Sequence, residues 1–124
     1  MLPALKKTPG VELVGIASAS GVNAQSAASR FGFQYAVSHE QQILDDPRIN
    51  TVAILTRHNL HARQVITALQ NGKNVYCEKP LAISEEELNE VEETLRSSPK
   101  GILTVGFNRR FAPFAKTLKG FFTE

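Results

Sequence analysis

The sequence predicts an α/β fold with a doubly wound parallel sheet. Two observations carry this. Apolar runs with β-branched residues at positions 11–17, 51–55, 75–77 and 102–107 read as strands, the first two buried. The stretches between them place apolar residues at helical spacing. Strand–helix alternation with buried apolar strands makes a parallel sheet. Right-handed crossovers make it doubly wound.

The elements follow in order. Positions 1–8 read as the tail of a helix: Leu2 and Leu5 can share a face, Lys6 and Lys7 suit a C-terminus, and Pro9-Gly10 stop it. After the strand at 11–17, residues 18–21 (Ser-Ala-Ser-Gly) make a turn. A helix then carries Ala24, Ala27, Ala28 and Phe31 on one face and stops at Gly32. Phe33, Tyr35 and Val37 alternate as a short strand. Ser38 with Gln41 reads as a capping box for a short helix around Ile43 and Leu44, ended by Asp46-Pro47. Beyond the strand at 51–55, a helix buries Ala62, Val65, Ile66 and Leu69 and closes at Gly72. Ser84 and Glu87 form a second capping box, with Ile83 and Leu88 at the staple positions. That helix buries Leu88, Val91 and Leu95. Phe114, Leu118, Phe121 and Phe122 mark one face of a final helix.

Bulk properties narrow the class. A chain of 124 residues holds one domain with a modest core. Hydrophobic content of 42% and charged content of 21% fit a soluble globular protein. A net charge of +2 is too small to argue for nucleic acid or a membrane surface. One cysteine, Cys77, excludes an internal disulfide framework and suits a cytoplasmic setting. No apolar run approaches membrane-spanning length, and Lys6-Lys7 follow the first apolar residues rather than preceding them as in a signal peptide.

The chemistry gathers at positions 74–82, Asn-Val-Tyr-Cys-Glu-Lys-Pro-Leu-Ala. An acid, a base and a proline follow a short strand. Ligands of open parallel sheets bind beyond the strands' carboxyl ends. An ammonium there can donate to a substrate oxygen or relay a proton. Pro80 restricts the backbone of Lys79, so the lysine is aimed. Upstream stand residues 56–61, Thr-Arg-His-Asn-Leu-His, and residues 68–75; downstream stand Leu81-Ala82 and residues 106–111, Gly-Phe-Asn-Arg-Arg-Phe.

This series, in this order and spacing, resembles the Gfo/Idh/MocA oxidoreductases over essentially the whole chain. The resemblance implies a Rossmann-like fold and NAD or NADP as cofactor. It also implies hydride transfer to or from a sugar, cyclitol or related small polyol, with Lys79 beside nicotinamide and substrate. It divides the chain into a partial dinucleotide-binding domain, residues 1–107, and a bridging helix, residues 108–124, toward a substrate domain. The sequence contains no Gly-x-Gly-x-x-Gly turn to cradle a pyrophosphate. The resemblance accounts for this by placing Met1 inside the helix after the first strand. A fragment of a larger enzyme, truncated at the N-terminus and inactive alone, is the expectation. A small protein in its own right is the alternative.

The remaining candidates are weaker. Ser18 stands where an acid would bind the ribose of NAD; it serves as a ribose contact or as an ordinary turn serine, and does not choose between NAD and NADP. Thr56 and His61 flank a helix N-terminus whose N–H groups suit phosphate or ribose oxygens. The family pattern there is Thr-Pro-Asn-x-x-His, and this chain has Arg57-His58 instead of Pro-Asn. Glu78 orients Lys79 and counts among the cofactor-binding candidates. Arg110, favoured over Arg109 by the resemblance, faces phosphate or substrate. His58, His61 and Cys77 fit no closed metal site, and no metal is expected. A non-catalytic nucleotide sensor and an oligomerisation module are the rival functions. Clustered phenylalanines near the C-terminus and open strand edges lead to an expected homo-oligomer.

Overall fold

A computed structural model describes residues 1–98 and 101–122. The chain divides into two compact units, Met1–Asn50 and Thr51–Glu124.

In the first unit, helix α1 (Leu2–Leu5) is one turn long. Strand β1 (Gly15–Ala17) pairs in parallel with β2 (Tyr35–Val37), Gly15 opposite Tyr35 and Ala17 opposite Val37. The crossover helix α2 (Gly21–Phe31) buries Ala24 and Ala28. It ends at Gly32, whose φ of 85° is the left-handed cap that glycine adopts without steric cost. Two expectations are corrected. The first strand is half-buried and begins at Gly15, not at Val11. A two-stranded ribbon gives β1 one neighbour, so its side chains keep part of their surface in water. Nor does Ser38 cap α3 (Gln41–Leu44): the helix starts later, with Glu40 at the N-cap and no side-chain cap bond. The Gln41 side chain instead donates to Asp45 at 2.7 Å.

The turn after α3 is a built polar knot. Asp46 accepts from the Arg48 amide (2.9 Å), from Arg48 Nε (3.0 Å) and Nη2 (2.7 Å), and from the Tyr35 hydroxyl (2.9 Å). The Arg48 guanidinium lies over the Tyr35 ring at 5.7 Å. Its hydrogen bonds hold the Asp46 carboxyl well below the usual carboxylate range.

The second unit is a three-stranded parallel sheet in the order β3 (Thr51–Ile54), β4 (Asn74–Glu78), β5 (Leu103–Gly106). Helix α4 (His61–Gln70) crosses from β3 to β4, and α5 (Glu85–Ser97) from β4 to β5. The helices pack on each other and α4 packs on β4. The core is Val75 and Cys77 of β4, Ala62, Val65, Ala68 and Leu69 of α4, and Val91 of α5. Val65 and Cys77 are fully enclosed. The period of two sends Tyr76 and Glu78 to the other face of β4, where they are half-buried.

The box at α5 forms with a shifted partner. Ser84 Oγ accepts from the Glu87 amide at 3.2 Å, while the Glu87 carboxylate takes the amide of Ile83 at 2.8 Å. Leu88, expected in the core, is exposed. The buried stripe of α5 begins one turn later, at Val91 and Thr94, so the first turn stands clear of the core. The strand at 51–55, expected to be buried, is buried on one face only: Ile54 lies in the core, while Thr51 and Ala53, which the period of two sends to the other face, are exposed. The last helix, α6 (Pro113–Gly120), stops before Phe121 and Phe122, which lie in the turn that follows. Phe114, Leu118, Phe121 and Phe122 are all exposed.

Candidate functional site

The carboxyl ends of β3, β4 and β5 carry the site. Parallel pairing in register sets Glu78, the last residue of β4, opposite Gly106, the last residue of β5. Gly106 has no Cβ, and one there would stand 2.5 Å from the Tyr76 hydroxyl and 3.1 Å from Glu78 Oε2. The space that glycine leaves is filled by a carboxylate network. Glu78 Oε1 accepts from Asn108 Nδ2 at 3.0 Å. The Tyr76 hydroxyl stands 3.2 Å from both Glu78 Oε1 and Asn108 Oδ1, and its one proton serves either. Glu78 Oε2 takes the backbone N–H of Lys79 at 3.2 Å. Burial pushes the Glu78 carboxyl up, but the hydrogen bonds from Asn108, the Lys79 amide and Tyr76, with the Lys79 charge, bring it below its ordinary value.

Glu78 therefore holds the backbone of Lys79, while the lysine itself is exposed. The Lys79–Pro80 peptide is cis. The Pro80 carbonyl faces Nδ1 of His61 at 2.7 Å, and Nε2 of the same ring faces the Thr56 carbonyl at 3.1 Å. His61 is fully buried. Its ring is met edge-on by the exposed His58, with 5.7 Å between centroids.

Thr56, exposed after β3, donates its hydroxyl to Gln64 Oε1. Thr56, Arg57, His58, Asn59 and Ile83 line an open cleft there. Arg110 folds back on its own turn: Nε donates to the Phe107 carbonyl at 3.3 Å, and the guanidinium lies 5.8 Å and 5.9 Å from the Phe107 and Phe111 rings. Ser18 follows β1 in the first unit, where its amide donates to the Val37 carbonyl at 3.2 Å.

The second unit thus brings Thr56, His61, Glu78 and Lys79 together, with Asn108 and Tyr76 as members that motif reading did not single out for a role. The signal for Tyr76 was its place two residues before Glu78 on one strand face. Cys77 is no nucleophile: burial and then Glu78 push its thiol up to about 11. Among the described residues, no group of three or more His, Cys, Asp or Glu is placed to hold a metal. No described helix is long and apolar enough to cross a membrane.

Comparison with known proteins fits this arrangement. The family model for the oxidoreductase family with an NAD-binding Rossmann fold (GFO_IDH_MocA) matches residues 1–107. Levoglucosan dehydrogenase of Pseudarthrobacter phenanthrenivorans is 39% identical over 110 residues, 88% of this chain and 28% of that protein. The scyllo-inositol 2-dehydrogenase (NAD(+)) of Bacillus subtilis is 34% identical over 105 residues, 85% of this chain and 30% of that protein. A solved levoglucosan dehydrogenase in complex with NADH and levoglucosan superposes with a TM-score of 0.81 at 37% identity, covering 90% of this chain and 30% of that one. The chain spans under a third of the length of these relatives. It belongs to the Gfo/Idh/MocA oxidoreductases and carries their NAD-binding Rossmann fold.

Proposed function

We propose that this chain is the nucleotide-binding part of an oxidoreductase that moves a hydride between NAD or NADP and a sugar, cyclitol or related small polyol. One observation carries the reading: an exposed lysine whose backbone is held by a carboxylate network at the carboxyl end of the central strand of its sheet. The strand-end cleft and the start of α4 offer polar and N–H groups for the cofactor's ribose and phosphate oxygens. When bound, the nicotinamide accepts or supplies the hydride. Lys79 handles the proton. In the reducing direction its ammonium hydrogen-bonds the substrate carbonyl and delivers a proton to that oxygen as the alcohol forms; in the oxidising direction the amine takes it back.

Glu78 fixes the backbone of Lys79, and Thr56 faces the ribose. Ser18 contacts the adenine-side ribose, and Arg110 faces a phosphate or the substrate once released from the Phe107 carbonyl. Residues 1–107 form the dinucleotide-binding part, and residues 108–124 bridge toward a substrate domain. The setting is cytoplasmic. The exposed Phe114, Phe121 and Phe122 support self-association into a homo-oligomer.

The deciding experiment is Lys79→Met in a full-length enzyme that carries this domain. Turnover should fall by about 10²–10⁴-fold, the usual contribution of a positioned proton donor, with cofactor affinity unchanged. Turnover within a factor of two of the parent would end the proposal.

A further inference from the structure

His61 opens α4, yet it is fully buried, and both ring nitrogens lie on backbone carbonyls of two different loops. One carbonyl, Thr56, follows β3; the other, Pro80, follows β4. Buried backbone carbonyls require partners. Here one imidazole faces two segments that are 24 residues apart in sequence. A neutral imidazole carries one N–H. The shorter contact, 2.7 Å to Pro80 against 3.1 Å to Thr56, favours Nδ1 as the place of that proton, and Nε2 then has no hydrogen to give the Thr56 carbonyl. With no surface exposed, the ring has no face left for a ligand.

We infer that His61 is a positioning residue and not a cofactor contact: it ties the Pro80 carbonyl to the first residue of α4 and so sets where the adjacent Lys79 stands. The inference rests on the reading of Lys79 above, and it assigns the turn two independent anchors. Glu78 holds the amide of Lys79 from the side of β5, through Asn108. His61 holds the carbonyl of Pro80 from the start of α4.

The two nitrogens of histidine can be mimicked separately. Asparagine puts an amide donor near the position of Nδ1, and glutamine puts one near Nε2. His61→Asn should therefore keep the Pro80 bond, whereas His61→Gln should lose it. The readouts are nitrogen-15 NMR of the imidazoles and hydrogen exchange of the Lys79 amide in the 124-residue chain. In the wild type, the Nδ1 proton of His61 should exchange slowly enough to be seen, while those of the exposed His39 and His58 should not. His61→Gln should speed Lys79 amide exchange roughly tenfold, as loss of one hydrogen bond allows, and His61→Asn should restore most of it. The amide of Val65, in the core of α4, is the control.

Equal Lys79 exchange in both folded variants and the wild type would overturn the inference, and so would equal loss in both, which marks simple packing. If both variants unfold, an unprotonated or rapidly exchanging Nδ1 in the wild type would overturn it and a protected Nδ1 proton would support it. None of these readouts needs turnover. A harmless Lys79→Met would remove the proton-transfer role and leave the clamp to be judged on exchange alone.

Discussion

One added carbon at Gly106 would test the built part of the site. Its backbone lies outside the left-handed region, so alanine would be strained only by contact. The new Cβ would meet Tyr76 Oη at 2.5 Å and Cζ at 3.0 Å. The hydroxyl would have to retreat by about 0.9 Å to reach ordinary contact at 3.4 Å. It begins 3.2 Å from Glu78 Oε1 and Asn108 Oδ1, so a shift of that size breaks at least one of those contacts. Overpacking costs about 1–3 kcal/mol, and a lost hydrogen bond to a carboxylate adds about 1.5 kcal/mol. Stiffening the unfolded chain returns about 0.4–1 kcal/mol. Gly106→Ala should therefore destabilise the protein by about 1.5–4 kcal/mol. With a urea slope of about 2 kcal/mol per molar, the midpoint should drop by about 1–2 M. The chain has no tryptophan, so far-ultraviolet circular dichroism is the readout. Adding Tyr76→Val removes the obstructing ring, and valine suits a strand. The double variant should recover about 1–3 kcal/mol relative to the sum of the single losses. An unmoved midpoint in Gly106→Ala, or strictly additive losses, would refute the account of Gly106 as the space that Tyr76 and Glu78 occupy.

Asp46 has a folded-state pKa below its unfolded value, so the stability it contributes is complete above the ordinary carboxylate range and disappears as pH falls through the folded value. Asp46→Asn should be less stable than the wild type at pH 7, and the gap in urea midpoint should narrow progressively below about pH 4; a gap independent of pH would contradict this. The chain should self-associate at micromolar concentration in light scattering, and replacing Phe121 and Phe122 (77% and 82% exposed) with serine should weaken the association. A monomer across that range would remove the proposed oligomer.

Much of the fold was legible because burial writes itself into spacing. Ala24 and Ala28 and the α4 stripe through Ala62, Val65 and Leu69 appear in the core where the pattern put them, and the short apolar strand at 75–77 lies within β4. The Ser84–Glu87 cap was legible because its partners are local. The misreadings share one cause: patterns record which residues could be buried, not how far a neighbour extends to bury them. Leu88 fits the helical stripe of α5, yet the first turn stands clear of the core. Phe121 and Phe122 fit the stripe of α6, but the helix stops at Gly120. Ser38 and Gln41 have the capping spacing, but the chain enters α3 through Glu40. Within the site, Lys79 and Glu78 were visible as a motif. Their supports were not, because Asn108 lies 30 residues from Glu78 and Pro80 lies 19 residues from His61. Contacts of that separation exist only once the register of β3, β4 and β5 is set.

That register explains why so exposed a residue can be so well placed. A surface lysine normally loses position through its rotatable stem and its backbone together. Here the side chain is exposed, and among the described residues the Lys79 ammonium makes no hydrogen bond or ion pair. The backbone on both sides of it is tied, by a carboxylate on its amide and by a buried imidazole on the next carbonyl. The charge is left available to a substrate oxygen, and the ordering entropy that binding must overcome is confined to one side chain, about 0.5–1.5 kcal/mol for one that is rotamer-rich. A site built this way needs no pre-formed pocket around the lysine, only strand ends held in register. This fits the open cleft observed at the end of β3.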